Sequence, residues 1–211
     1  MKPRYLYSQF SIEKQWGEDV KLKNLKVKNF RNFSNMNLAL NNRNIIFGMN
    51  DIGKTNLLQA IRFMFDRQIR INGFKATDYH KNDTTLPIEI VVEIDISDRS
   101  DETPKSHDSK LLISKIKEAR NNLDYPDSFF IMLKGAFDQK EIFGNPVLYW
   151  GSTLSDLELV PVRGQTFAID DIFHVEYVNP TSSLEHIGTI ITEHFEENLE
   201  TALKQFGIIS K

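Results

Sequence analysis

Residues 48–56 read Gly-Met-Asn-Asp-Ile-Gly-Lys-Thr-Asn and fit the pattern Gly-x-x-x-x-Gly-Lys-Ser/Thr. No other segment constrains the fold as tightly, because the pattern works only as a loop between a buried strand and a helix. Such a loop turns successive backbone N–H groups toward a phosphate, and the helix N-terminus adds a favourable dipole. Lys54 is placed to reach β- and γ-phosphates, and the Thr55 hydroxyl to take one position on Mg²⁺. Gly48 and Gly53 permit the tight backbone path, and Asn50 and Asn56 bracket the turn. The flanks agree with the motif. Asn44-Ile45-Ile46-Phe47 is a short apolar run suited to a strand, and Leu57, Leu58, Ile61, Met64 and Phe65 recur at helical spacing.

The chain has 211 residues, 40% of them hydrophobic, enough to bury one core. A formal net charge of −3 gives no overall nucleic-acid footprint. Lys21, Lys23, Lys26, Lys28 and Arg31 do crowd the first predicted strand; they form either a local basic patch or a lysine-protected sheet edge. The absence of cysteine excludes disulfides, thiolate metal sites and cysteine nucleophiles. No apolar run approaches the roughly 18 residues needed to span a bilayer, and the first residues lack the apolar centre of a secretion signal. The expected location is cytoplasmic, away from membranes.

Residues 1–19 show no clear period and are expected to form an extension. Residues 20–183 hold the main domain, and 184–211 an amphipathic helix with Leu184, Ile187, Ile191, Phe195 and Leu199 on one stripe. Strands are predicted from Val20 to Val27, Met36 to Leu40, Ile88 to Ile96, Phe129 to Leu133, Val147 to Trp150 and Val175 to Val178. A polar turn at 29–33 is flanked by Phe30 and Phe33. Helices are predicted from Lys54 to about Asp66 and from Leu111 to about Asn121. Further turns are expected at Gly144-Asn145-Pro146 and Arg163-Gly164.

Three segments together carry a family resemblance. Lys28-Asn29-Phe30-Arg31-Asn32-Phe33 resembles the opening turn of ATPases related to RecF, SMC and OLD proteins, and Phe47 to Arg62 resembles their phosphate loop and first helix. Asp78-Tyr79-His80-Lys81-Asn82-Asp83 and Val175-Glu176-Tyr177-Val178-Asn179-Pro180 narrow the resemblance to OLD-family ATP-dependent nucleases, in particular the nuclease subunit of Gabija antiphage systems. Where SMC and RecF proteins carry Asn-Gly-Ser/Ala-Gly-Lys, this chain has Asn50-Asp51-Ile52-Gly53-Lys54, similar to the OLD branch. An inward Asp51 carboxylate would repel phosphate, so Asp51 is expected to point outward or toward a neighbouring subunit.

The resemblance implies an α/β fold: a P-loop ABC-type ATPase half-domain with a mixed central sheet, an N-terminal antiparallel β layer and flanking helices. It implies ATP and Mg²⁺ as cofactors and DNA as partner of the full-length protein. It also implies pairing of ATPase heads in a homo-oligomer and a helicase-like partner subunit. In related heads the basic residue at Arg31 lies near nucleotide phosphate or DNA; its alternative role is to solvate the turn. The family's second ATPase half and Toprim nuclease domain have no counterpart in this sequence. The chain is therefore expected to be the N-terminal part of a longer protein, without catalytic residues of its own, binding ATP without appreciable hydrolysis or DNA cleavage. A RecF- or SMC-like DNA repair head and a non-catalytic assembly module remain open alternatives.

Other residues invite weaker readings. Asp78, His80 and Asp83 resemble a metal cluster in composition, and their position after the first ATPase helix allows a role near the nucleotide or at a subunit contact, with a solvated loop as the favoured alternative. Thr166-Phe167-Ala168-Ile169-Asp170-Asp171 imitates an acidic catalytic strand end, but its apolar run is short. His186 and His194 lack zinc-protease spacing.

Overall fold

The hairpin nearest the phosphate loop sets up the rest of the sheet. In the computed structural model, strands β2 (Leu22–Phe30) and β3 (Phe33–Ala39) pair antiparallel across a turn at Arg31 and Asn32, with Phe30 opposite Phe33. The structure describes residues 12–14, 21–41, 44, 46, 53–97, 114–119, 124–125, 127–164, 166–170 and 173–175. They fall within one unit, residues 11–176.

Strands β4 (Ile88–Asp95), β5 (Ser128–Asp138), β6 (Phe143–Thr153) and β7 (Asp156–Leu159) complete a six-stranded sheet in the order β3-β2-β4-β5-β6-β7. Every described pairing in it is antiparallel. The α/β class holds. The phosphate-loop strand that would make the sheet mixed lies largely outside the described residues.

The β4 alternation predicted from the sequence is the spine of the core. Ile88, Ile90, Val92 and Ile94 are buried while the residues between them are partly exposed. Register carries the pattern across the sheet: Leu25, Val92, Ile131 and Trp150 form one row, and Val27, Ile90, Leu133 and Leu148 the next. Burial of each such side chain is worth about 1.5–3 kcal/mol. At Asn29 a left-handed backbone (φ 52°) interrupts the alternation, so Asn29 and Phe30 are buried in succession. Asparagine tolerates that conformation, and its side-chain amide donates to the Asp83 and Leu86 carbonyls at 3.1 and 2.7 Å.

Helix α1 (Lys54–Phe65) buries Leu57, Leu58, Ala60, Ile61, Phe63, Met64 and Phe65. Its Phe63 ring stacks on Phe74 at 4.5 Å and meets Phe30 edge-on at 5.8 Å. The helix stops at Asp66, whose backbone is extended and whose carboxylate accepts from the Gln68 and Ile69 N–H groups. The same residue thereby caps the short helix α2 (Arg67–Arg70).

Two expectations need correction. Gly144, Asn145 and Pro146 lie inside β6, paired with Phe137, Ala136 and Gly135. The chain reverses at residues 139–142 instead, where the Asp138 carboxylate accepts from Lys140 N–H. Gly144 serves close approach rather than a turn: a Cβ there would collide with the Tyr79 hydroxyl. Second, the lysines of β2 do not protect an edge, since β2 lies between β3 and β4. Residues 12–14, in the stretch expected to form an extension, form β1 (Ile12–Lys14), which pairs with β10 (Phe173–Val175). Of the strand expected from Val175 to Val178, Val175 lies in β10 and the rest falls outside the described residues.

The turn expected at Arg163-Gly164 joins β8 (Val162–Arg163) to β9 (Thr166–Phe167). A helical segment occupies 114–119 within the range expected for a helix. The amphipathic stretch 184–211 lies outside the described residues.

Candidate nucleotide site

The phosphate-loop residues Gly48, Asn50 and Asp51 lie outside the described residues. Gly53, Lys54, Thr55 and Asn56 are described, and they form the start of α1. Gly53 is the N-cap, with φ 105° and ψ 8°, a conformation that L side chains avoid. Its carbonyl accepts the first helical bond, from Leu57 N–H at 2.9 Å. No side chain caps this end and no acidic residue sits in its first turn. Among the described residues no carboxylate in that turn offsets the N-terminal N–H groups and dipole, which suits a phosphate. Lys54 and Thr55 occupy the first two helical positions, as the motif requires of residues that hold nucleotide and metal.

The β2–β3 turn is docked onto this helix start. Asn56 Nδ2 donates to Asn32 Oδ1 at 2.8 Å, and Arg31 Nη1 donates to Asn56 Oδ1 at 3.1 Å. Asn32 also packs so closely on Gly53 that a Cβ there would collide with its amide. Glycine at 53 is therefore required twice, by its φ and by its neighbour. Of the residues expected to act together, Arg31 and Asn56 are in direct contact. Asn32 was not singled out by the sequence; its signal was its place in the Phe-Arg-Asn-Phe turn.

Asp78 was named from the sequence, but the contact it makes was not. Rather than lying in a solvated loop, it is buried. Its Oδ1 accepts from Arg31 Nε at 2.9 Å, its Oδ2 from Lys75 N–H at 2.9 Å, and its carbonyl from Arg31 N–H at 2.7 Å. His80 Nδ1 lies 2.8 Å from the Arg31 carbonyl oxygen. Asp83 instead bonds Thr85: the Thr85 hydroxyl, then its N–H, hold the carboxyl below its usual range. The three side chains weighed as a metal cluster therefore bond elsewhere, Asp78 and His80 to Arg31 and Asp83 to Thr85, and no cluster with metal-ligating composition occurs among the described residues. Two lysines of β2 are engaged as well, Lys23 with the Asp95 carboxylate and the Asp127 carbonyl, and Lys28 with Glu89. Asp170, from the imitation acidic strand, pairs with Arg70.

Tyr79 anchors the loop behind this network. Only 1% of it is exposed, and its hydroxyl donates to the Gly135 carbonyl at 3.1 Å. Burial first, and the Asp78 charge second, push its pKa from 10.0 up to about 12. Between those values the native state keeps a proton that the unfolded chain has lost. The stabilisation is complete below pH 10 and disappears as pH rises through 12; it amounts to about 2–3 kcal/mol. Tyr79→Phe is expected to cost about 1 kcal/mol at neutral pH and to flatten the fall in stability between pH 10 and 12. Urea unfolding across that range, compared with the unsubstituted chain, measures both effects.

An open groove of about 480 Å³ lies on the β5–β6 hairpin, lined by residues including Lys134, Phe137, Asn145 and Tyr149. It shares no residue with the site above. Among the described residues no helix is long and apolar enough to cross a membrane.

Known proteins bear on the same segments. Residues 21–150 match the family described as AAA ATPase domain. The chain is 46% identical over 168 residues to Endonuclease GajA of Bacillus cereus (strain VD045), covering 80% of this chain and 28% of that protein. A 46-residue stretch is 48% identical to the DNA replication and repair protein RecF of Lactococcus lactis subsp. cremoris (strain MG1363), covering 21% of this chain and 13% of RecF. The matched stretches cover under a third of the length of either relative. With a phosphate-loop sequence opening α1 and an antiparallel sheet behind it, the chain belongs to the AAA ATPase domain family, as an ATPase portion of the OLD/Gabija type.

Proposed function

We propose that this chain is the ATP-binding portion of an ATP-dependent DNA endonuclease in antiphage defence, and that nucleotide held by it controls cleavage by a Toprim domain of the longer protein. The observation that carries the proposal is the start of α1: left-handed Gly53, then Lys54 and Thr55, fixed against Arg31 and Asn32. In this reading Gly48, Asn50, Asp51 and Gly53 shape the phosphate loop. Lys54 takes the β- and γ-phosphates, Asn56 and Arg31 flank them, and Thr55 contributes its hydroxyl to Mg²⁺. The bound ion would neutralise phosphate charge. DNA, a second ATPase head and a helicase-like subunit are the proposed partners, in the cytoplasm.

Phosphoryl transfer needs a positioned water and further metal ligands as well as a phosphate cradle. None of the described carboxylates around α1 is placed for that work: Asp66 caps α2, Asp78 holds Arg31, and Asp170 holds Arg70. The purified chain is therefore expected to release negligible phosphate from ATP and to leave plasmid DNA intact with Mg²⁺ or Mn²⁺. Robust cleavage would mean that the nuclease site lies within these residues. In a longer chain carrying a Toprim domain, cleavage is expected to respond to ATP, and Lys54→Ala to remove the response.

The short RecF match favours one rival, a DNA repair ATPase head in which nucleotide drives dimerisation. Toprim carboxylates in the longer coding sequence support the nuclease, and a long coiled coil the rival. An assembly module with a non-binding loop is the third reading.

A further inference from the structure

We propose that Asp78 is a positioning residue for the nucleotide, acting through Arg31; the inference rests on the nucleotide-binding proposal above. Four atoms of Arg31 are held before any ligand arrives. Asp78 takes its N–H and Nε, Asn56 takes Nη1, and His80 Nδ1 meets its carbonyl oxygen. The Phe30 ring lies 5.2 Å from the guanidinium carbon. A long, flexible cation is thereby fixed beside a helix start that has no acidic residue in its first turn.

The Arg31 side chain is nevertheless 30% exposed, whereas that of Asp78 is 9% exposed. Asp78 grips the guanidinium from the buried side, and its second oxygen is tied to the backbone of Lys75. That leaves an accessible, oriented guanidinium whose fork matches a phosphate oxygen pair. Because its rotamer is already set, phosphate binding does not incur the ordering cost of a free arginine. Asp78 lies 47 residues from Arg31 in sequence, so its role is visible only in the fold.

The test is a set of Mg·ATP titrations of the 211-residue chain by calorimetry: unsubstituted, Asp78→Asn, Arg31→Lys and the double variant. Asparagine has a single carbonyl oxygen for two donors, Lys75 N–H and Arg31 Nε, and lysine has no fork. Each single substitution is expected to weaken ATP binding about tenfold. The double variant is expected to be no weaker than about tenfold, because Asp78 works only through Arg31. Losses that multiply to about a hundredfold, or unchanged affinity in Asp78→Asn, would overturn the proposal. Thermal melts check folding; if Asp78→Asn melts below the titration temperature, Asp78→Glu, which keeps the charge but displaces it, replaces it in the same cycle. A Lys54→Ala control separates the two claims. Loss of binding there with an indifferent Asp78 removes only the positioning role, while intact binding there removes the nucleotide site itself.

Discussion

Replacing Arg70 with Met is expected to destabilise the chain by about 3–5 kcal/mol, a large share of the 5–15 kcal/mol typical of a domain. The Arg70 side chain is 2% exposed and its partner Asp170 is 4% exposed. Arg70 also donates to the Met64 carbonyl at 2.7 Å, at the end of α1, and lies 5.1 Å from the centre of the Phe167 ring. Asp170 in turn accepts from Phe167 N–H at 2.8 Å. One ion pair therefore ties the phosphate-loop helix, through α2, to the β8–β9 hairpin. Methionine fills much of the space but leaves a buried carboxylate without its counter-charge, which is the costly half of the exchange. Asp170→Asn keeps an oxygen for Phe167 and removes the charge, so Arg70→Met in that background should cost markedly less. Urea unfolding of the four proteins gives the coupling energy. A loss below about 1 kcal/mol in Arg70→Met, or strictly additive losses, would show that the pair does not bind these elements together.

That pair also shows where sequence reading reaches its limit. Thr166 to Asp171 looked like a weak catalytic strand end because an acidic residue after apolar ones is the local signature of one. Only the fold reveals Arg70, a hundred residues earlier, as its partner. Asp78 was placed only loosely for the same reason: its position suggested a metal cluster, a role near the nucleotide or a subunit contact, with a wet loop favoured, while its partner Arg31 is remote in sequence.

Features governed by local periodicity were legible. The alternation from Ile88 to Asp95 and the helix from Lys54 to Phe65 stand where the pattern placed them. Strands β5 and β6 came out longer than expected. Gly144 reads as a breaker in a one-dimensional pattern, yet here it and Gly135 clear room for Tyr79 and Phe74. The left-handed step at Asn29, which turns Phe30 into the core, has no periodic signal at all. Arg31 and Gly53 to Asn56 were named from the sequence, whereas the contacts by which Asn32 and Asp78 hold them were not legible there.

The second large effect concerns Lys54. Its ammonium is the one motif cation placed at the first turn of α1, where the dipole and the unoffset N–H groups already favour an anion. Alanine has nearly ideal helix propensity, so Lys54→Ala should leave α1 and the Asn32–Asn56 contact intact while removing a charge from the phosphate cradle. A charged hydrogen bond lost from a partly desolvated site is worth about 1.5–3 kcal/mol, or roughly a 10- to 150-fold loss of affinity. Folding of the variant is checked by its thermal melt, which should match that of the unsubstituted chain. The direct measurement is calorimetric titration of Mg·ATP into both proteins. Saturable heat from the unsubstituted chain, lost or weakened at least tenfold in Lys54→Ala, is the expected result; equal heats from the two proteins would contradict nucleotide binding at this loop.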